Sequence, residues 1–172
     1  MTIPEILAAI LPYQVKHVLL TGGEPLMQRP TPDLARALKA AAYSVTIETH
    51  GEVSVETIST VARVIMDIKT PSSGMCRGEF EKNFKFLKES DEVKFVIASE
   101  EDYSWARDLV RSGRIPTREI LFSPAVPAKD QPGKFPGVQP RWIAERILED
   151  KLPVRMQLQL HKLLWGANVH GV

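Results

Sequence analysis

Short apolar runs rich in β-branched residues alternate along this chain with longer amphipathic stretches. Such alternation is typical of βα units, in which helices connect the strands of a parallel sheet. The runs lie at residues 18–20, 45–47, 64–68, 93–97 and 120–122. We therefore predict an α/β protein built around a mostly parallel sheet.

Apolar residues between these runs recur at helical spacing, and several of the stretches begin with capping residues. Thr2 and Glu5 form a capping box, Thr31 precedes Pro32, and Ser99 precedes an acidic first turn. Apolar and polar residues alternate from 154 to 161, which predicts a closing strand with one polar face. Helices are predicted at 2–11, 31–41, 54–61, 80–87, 99–113 and 143–148, and a long loop rich in proline and glycine at 124–140.

Composition limits the class of protein. A chain of 172 residues, of which 44% are hydrophobic, can form one domain, taken here as residues 1–172. Its net charge of +1 creates no large positive field, so nucleic acid is not an expected partner. No apolar run approaches the roughly 18 residues of a membrane span, and no signal-peptide pattern opens the chain. We expect a cytoplasmic protein without a membrane partner.

The chain contains one cysteine, Cys76. A single thiol forms no internal disulfide, and it cannot supply the three or four thiolates of an iron–sulfur or structural zinc site. We interpret Cys76 as an ordinary loop residue, and we predict no metal site from the residues of this chain alone.

Polar clusters follow the predicted strands at their carboxyl ends. They lie at 21–24, 48–51 and 67–74, at Ser123, and at 159–162. Loops of adjacent βα units meet at this end of a sheet, where functional residues of such folds collect. The glycines at 22 and 23 let the backbone approach a ligand, and the carboxylate after them can accept hydrogen bonds from a cationic group. The clusters therefore predict one shared site.

Residues 18–25, VLLTGGEP, resemble the motif with which radical S-adenosylmethionine (SAM) enzymes hold the methionine end of that cofactor. Further segments follow in order and at sensible spacing: ET at 48–49, DIKTPSSG at 67–74, EVKFV at 92–96, SP at 123–124 and QLHKLLW at 159–165. Together they resemble the 7-carboxy-7-deazaguanine synthase family, from about Val15 to the C-terminus.

The resemblance implies a partial (β/α) barrel of the radical SAM type and a homodimer. Members of the family are carbon–nitrogen lyases of queuosine and 7-deazapurine biosynthesis, which convert 6-carboxy-5,6,7,8-tetrahydropterin to 7-carboxy-7-deazaguanine with loss of ammonia. A 4Fe-4S cluster, reduced by an external electron donor, cleaves SAM, and Mg²⁺ assists later steps. The cofactors carry the radical chemistry, while the protein positions the reacting atoms.

The resemblance also implies roles for individual residues. Gly22, Gly23 and Glu24 would accept the SAM amino group, while Thr21 would face the pterin substrate and His161 would reach it or stabilise the closing strand. Lys69 would pair with a carboxylate as a compact cation, or it would simply form a surface pair with Asp67. The remaining positions that the family uses for SAM contacts are Glu48, Thr49, Asp67 and Ser123.

This chain departs from the family pattern upstream of the glycine pair. The family's three cluster cysteines, its magnesium ligand and an N-terminal substrate-binding segment have no counterpart there. We therefore expect a barrel that is incomplete at the N-terminus, without its first βα unit, and inactive in isolation. His50 and Glu52 also stand where the family more often has small polar residues.

Two alternatives use the same residues differently. The first is a module without a cluster that binds SAM or a pterin and does no chemistry. The second is a barrel lyase without radicals, in which Lys69 forms a Schiff base with a carbonyl substrate.

Overall fold

The computed structural model describes residues 1–125 and 137–165, without the side chains of residues 161–163. The strands are β1 (His17–Leu20), β2 (Ser44–Thr49), β3 (Arg63–Ile68), β4 (Glu92–Ile97), β5 (Glu119–Pro124) and β6 (Arg155–Met156). The α-helices are α1 (Ile3–Ile10), α2 (Thr31–Ala40), α3 (Glu100–Arg111), α4 (Pro140–Glu149) and α5 (Leu160–Trp165). Short 3₁₀ helices span Leu11–Tyr13, Pro25–Met27, Pro71–Ser73 and Glu79–Phe86.

The strands pair in parallel and follow one another across the sheet in chain order, β1 to β6. Because crossovers between parallel strands are right-handed, sequential order places the connecting helices on one face of the sheet. Apolar residues of β2, β3 and β4 that alternate along each strand pack there against α2, α3 and α4. The parallel sheet with its packed helices confirms the α/β prediction. The partial barrel, and its incompleteness at the N-terminus, remain predictions.

The opposite face of the sheet carries charged residues at half-buried positions. Glu48, Asp67 and Lys94 alternate with the core residues of β2, β3 and β4. Successive strand residues point to opposite faces, so these three side chains share one face. Glu48 and Asp67 lie near the carboxyl ends of their strands, so two of the predicted clusters lie at one edge of the sheet, while Lys94 lies in the middle of β4.

The predicted helix at 54–61 is not formed. Those residues instead make consecutive hydrogen-bonded turns, with Ile58 N–H donating to the Val55 carbonyl and Val61 N–H to that of Ile58. Val55 is held from outside the segment, because its N–H donates to the buried Asn83 side chain at 2.9 Å. The spacing of Val55 and Ile58 therefore reflects burial in the core and not a helical face.

The closing region also differs from its prediction. The strand is limited to Arg155–Met156, and Leu160–Trp165 is helical. Leu158 and Leu160 are exposed, so the alternation there does not produce an inward apolar face. Where a helical face is predicted at 80–87, the structure has a 3₁₀ helix at Glu79–Phe86. Part of the predicted loop at 124–140 lies outside the described residues.

The N-terminal caps agree with the sequence patterns at two helices. Thr2 and Glu5 form the predicted capping box, and the Ser99 hydroxyl accepts a hydrogen bond from Asp102 N–H. Thr31 is instead the first residue of its helix, and its hydroxyl donates to the Pro25 carbonyl at 2.6 Å. No helix in the described part of the chain is long and apolar enough to cross a membrane.

Candidate functional site

The glycine pair after β1 forms a turn with open space around it. Gly22 and Gly23 have φ angles of +98° and +52°, and a Cβ added to either would meet no atom within 4 Å. Left-handed φ values favour glycine, because a side chain strains the backbone there. The turn therefore exposes main-chain polar groups to a space that a ligand can enter.

Glu24 follows this turn directly, and its side chain is only 4% exposed. Its Oε1 accepts from Leu26 N–H at 3.0 Å, and its Oε2 accepts from His50 N–H at 2.9 Å. The Thr49 hydroxyl lies 2.9 Å from both oxygens, and His50 Nε2 lies 3.2 Å from Oε2. Glu24 thus connects the end of β1 to the end of β2.

Glu48, on β2, is a second acidic residue near this turn, and its side chain points to the opposite face of the sheet from that of the adjacent Thr49. Glu48 Oε1 accepts from Lys94 Nζ at 2.6 Å, and its Oε2 accepts from the Thr21 hydroxyl at 3.3 Å. Burial raises the pKa of Glu48, but Lys94 and Thr21 outweigh that effect, so the net pKa lies below the ordinary value. Thr49 is buried, and its hydroxyl donates a hydrogen bond to Glu24. The structure therefore separates Glu48 from Thr49.

A cavity of about 340 Å³ opens between the ends of β3, β4 and β5. Asp67 and Lys69 line it, and Lys69 Nζ donates to Asp67 Oδ2 at 2.8 Å. Asp67 Oδ1 and Gln159 Oε1 are buried and have no hydrogen-bond partner in the described structure. Buried polar atoms are normally paired. Two unpaired acceptors at one cavity therefore fit a ligand that carries N–H or O–H donors.

The loop after β3 is fixed in place by Asp102, a buried residue of α3. One carboxylate oxygen accepts from Ser72 N–H at 2.9 Å, and the other accepts from the Ser72 hydroxyl and from Ala98 N–H. The Thr70 hydroxyl donates to the Val96 carbonyl at 3.1 Å. These bonds hold one wall of the cavity rigidly against β4.

A second cavity, of about 420 Å³, lies beside the first. Lys69 lines both cavities, so they meet at that side chain. His50 is in the wall of the second cavity, next to the buried carboxylate of Glu24. The rest of its lining includes the exposed residues Met27 and Met75 and the side chains of Glu52, Val53 and Arg77.

Comparison with curated proteins gives several relatives of one kind. The 7-carboxy-7-deazaguanine synthase of Chlorobaculum tepidum is 40% identical over the whole of this chain and 76% of its own length. Those of Koribacter versatilis and Clostridium acetobutylicum are 38% and 34% identical, over 90% and 100% of this chain and 71% and 76% of theirs. This chain belongs to the 7-carboxy-7-deazaguanine synthase family. No protein-family model matches it.

The fold agrees with that of a solved structure. The crystal structure of QueE from Escherichia coli matches 91% of this chain and 64% of its own, with a TM-score of 0.62 and 21% sequence identity. The curated members of the family are named as synthases. Their names favour neither the binding module without chemistry nor the Schiff-base lyase. In this member of the synthase family, Lys69 also forms an ion pair with Asp67, whereas a Schiff base requires a neutral amine.

The residues of this family member do not fit a 4Fe-4S cluster or Mg²⁺. Cys76 is its one cysteine, and burial together with the nearby Glu52 carboxylate raises the pKa of the Cys76 thiol. A cluster of this type needs three or more thiolates. Among residues 1–125 and 137–165 there is no group of three His, Cys, Asp or Glu side chains that could hold a metal.

The predicted site residues of this synthase family member fall into three groups. Gly22, Gly23, Glu24 and Thr49 gather at the turn after β1, Thr21 and Glu48 meet Lys94 on the sheet face, and Asp67 and Lys69 line the 340 Å³ cavity. Ser123 is buried on β5, and the side chain of His161 lies outside the described part. The contacts of Lys94 with Glu48, of His50 with Glu24 and of Asp102 with Ser72 were missed, since each joins residues at least 26 positions apart.

Proposed function

We propose that this chain binds SAM at the carboxyl ends of β1 to β5. The proposal depends on one observation: Asp67 Oδ1 and Gln159 Oε1, buried and without a hydrogen-bond partner among the described residues, lie at the 340 Å³ cavity. Through Lys69 this cavity adjoins the one whose wall contains His50, next to Glu24. The nucleoside part of SAM carries an amino group and hydroxyls that can donate to Asp67 Oδ1 and Gln159 Oε1. Its methionine part carries the ammonium and carboxylate that suit the turn and Glu24.

The glycine turn would hold the methionine end. The main chain at Gly22 and Gly23 can approach a ligand closely because no Cβ occupies the space above it. The buried carboxylate of Glu24 supplies a negative charge for the ammonium. Thr49 would act indirectly, since its hydroxyl orients Glu24.

The cavity at β3 to β5 would hold the nucleoside end. Asp67 and Gln159 offer acceptors there, while Lys69 offers a cation next to Asp67. Ser123 on β5 lies opposite Val96 of β4, and Val96 lines this cavity. We assign Asp67, Lys69 and Ser123 to SAM on this basis.

The sheet face with Glu48 would receive the substrate, 6-carboxy-5,6,7,8-tetrahydropterin. The Thr21 hydroxyl donates its proton to Glu48, so the oxygen of Thr21 keeps its lone pairs for N–H donors of a pterin. Lys94 holds Glu48 in its charged form. His161, in α5, would contact the same substrate. The product of the proposed activity is 7-carboxy-7-deazaguanine, with ammonia as the leaving group.

A 4Fe-4S cluster would need three cysteines in addition to the residues described here, and it would then supply the electron for cleavage of SAM. The residues of this chain would bind and orient SAM and the pterin within one domain shaped as a partial barrel. The protein would work as a homodimer with an external electron donor. The single thiol is too few for the cluster. We therefore expect no reductive cleavage of SAM by this chain alone.

The test is anaerobic reconstitution with iron and sulfide, followed by electron paramagnetic resonance and an assay for 7-carboxy-7-deazaguanine. It compares this chain with a form extended at the N-terminus by the family's three-cysteine segment. We expect a cluster signal and product only from the extended form. A cluster signal from this chain alone, or no product from an extended form that does hold a cluster, would contradict the proposal.

A further inference from the structure

The Glu24 carboxylate is already surrounded by groups of the protein, three of which donate hydrogen bonds to it while the fourth, the His50 ring, lies against it. A carboxylate offers about four lone-pair sites. Four groups of this chain surround it: Leu26 N–H, the Thr49 hydroxyl, His50 N–H and the His50 imidazole. A ligand ammonium can bind Glu24 only if one of these groups gives up its place.

Three of the four groups are fixed. The N–H of Leu26 belongs to the 3₁₀ helix Pro25–Met27, and that of His50 belongs to the main chain directly after β2. The Thr49 side chain is 1% exposed, so it has no room to rotate away. The His50 side chain is 27% exposed, and its Nε2 makes the longest of the contacts, at 3.2 Å.

The proton on the His50 ring is placed by the neighbouring backbone. Nδ1 accepts a hydrogen bond from Glu52 N–H at 3.0 Å. In a neutral imidazole the other nitrogen, Nε2, therefore carries the proton. Nε2 lies 3.2 Å from Glu24 Oε2, so the ring occupies a position that a ligand N–H donor could take.

We propose that the His50 imidazole is an exchangeable cover on Glu24, which the primary ammonium of a bound SAM-type ligand displaces. The inference rests on the proposed function, because it presumes that this turn receives the methionine end of SAM. It adds a residue that tunes affinity for the ammonium of the ligand. His50 lies in the wall of the 420 Å³ cavity, which gives the displaced ring a space to enter.

Two substitutions distinguish the contributions of the two ring nitrogens of His50. His50→Asn keeps an acceptor near the position of Nδ1, which can still receive Glu52 N–H, and removes Nε2, the ring nitrogen that lies against Glu24. His50→Gln keeps an amide donor near the position of Nε2 and serves as the matched control. Circular dichroism and thermal unfolding establish that each variant is folded.

Two ligands separate the ammonium from the rest of SAM. S-adenosylhomocysteine carries the primary ammonium, and 5′-methylthioadenosine lacks it. We expect His50→Asn to bind S-adenosylhomocysteine more tightly than the parent chain by on the order of tenfold, the scale of a hydrogen bond to a charged group. Binding of 5′-methylthioadenosine should not change, and His50→Gln should resemble the parent chain with both ligands.

Each outcome is decisive. Suppose that the parent chain binds S-adenosylhomocysteine, but that His50→Asn leaves this affinity unchanged, lowers it, or changes the affinities for both ligands equally. The proposed displacement of His50 is then wrong, and the proposed function stands. If the parent chain binds neither ligand, both proposals fail. If His50→Asn does not fold, imidazole ¹⁵N shifts of the parent chain decide instead: displacement requires that His50 responds to S-adenosylhomocysteine and not to 5′-methylthioadenosine.

Discussion

Lys94 Nζ lies 2.6 Å from Glu48 Oε1, although the two residues stand on strands that are separated by β3. Lys94 is directly opposite Asp67 in the register of β3 and β4, yet Asp67 pairs with Lys69. The pair therefore spans the polar face of the sheet and joins the end of β2 to β4.

Removal of Lys94 should destabilise the protein at neutral pH. Lys94→Met leaves the Glu48 carboxylate, which is 27% exposed, without its cationic partner, at a cost of about 1–2 kcal/mol. The pKa of Glu48 is lowered in the folded chain, so its stabilising effect is present above the unfolded pKa and is lost as the pH falls through the folded pKa.

Urea unfolding at pH 7 and at about pH 4 measures this effect. The parent chain should lose stability between the two values, and Lys94→Met should lose less. The exposed Lys16, changed to Met, is the control and should follow the parent chain. Equal acid sensitivity in the parent chain and Lys94→Met would show that the pair does not hold Glu48 in its charged form.

Asp67 should contribute to ligand binding more than to folding. In Asp67→Asn the unpartnered oxygen can be replaced by an amide donor, and the charge that pairs with Lys69 is lost. We expect affinity for S-adenosylhomocysteine to fall by about tenfold, the scale of one charge-assisted hydrogen bond. Equilibrium dialysis with Asp33→Asn as the exposed control checks this. Unchanged affinity in Asp67→Asn would show that Asp67 does not contribute to binding of S-adenosylhomocysteine.

Gly51 should tolerate a side chain less well than Gly113. Both have positive φ, +79° and +68°, so each Ala substitution bears a backbone strain of about 1 kcal/mol. A Cβ at Gly51 would also approach Met66 Sδ to 2.8 Å, whereas one at Gly113 meets nothing within 4 Å. Gly51→Ala should therefore lose about 1–2 kcal/mol more than Gly113→Ala in urea unfolding. Equal losses would show that Met66 moves aside freely.

Asp102 should fix the cavity wall. Asp102→Ala removes the acceptor of Ser72 N–H and of Ala98 N–H, which costs about 2–4 kcal/mol because buried donors lose their partner. Amide hydrogen exchange should become faster at residues 70–74, while exchange in β2 changes little. Asp108→Ala, at an exposed position on the same helix, is the control. Unaltered exchange at 70–74 would contradict the anchoring role.

Most of the strands could be predicted because their apolar runs are local signals. The runs at 45–47, 64–68 and 93–97 lie within β2, β3 and β4, and the glycine pair lies directly after β1, as predicted. The prediction of a helix at 54–61 was wrong. Val55 and Ile58 are instead buried by a series of turns, and Val55 N–H at their start donates to the remote side chain of Asn83. Local periodicity does not report such a tertiary contact.

The chemistry of the site was less predictable than its position. The clusters at 21–24, 48–51 and 67–74 do meet at one edge of the sheet, which parallel pairing requires. The pairing of Glu24 with His50 and of Glu48 with Lys94 depends on which face each side chain takes and on distances across strands. No sequence pattern fixes those partners, so both contacts emerged only from the structure.

The central claim is that these residues bind SAM through their own contacts, although the chain lacks the thiolates of a cluster. Isothermal titration calorimetry of SAM into the purified, iron-free chain tests it most directly. We predict saturable binding of one SAM per chain that is weakened in Asp67→Asn and retained in Asp33→Asn. Absence of binding by a folded chain, or equal binding by both variants, would contradict the account.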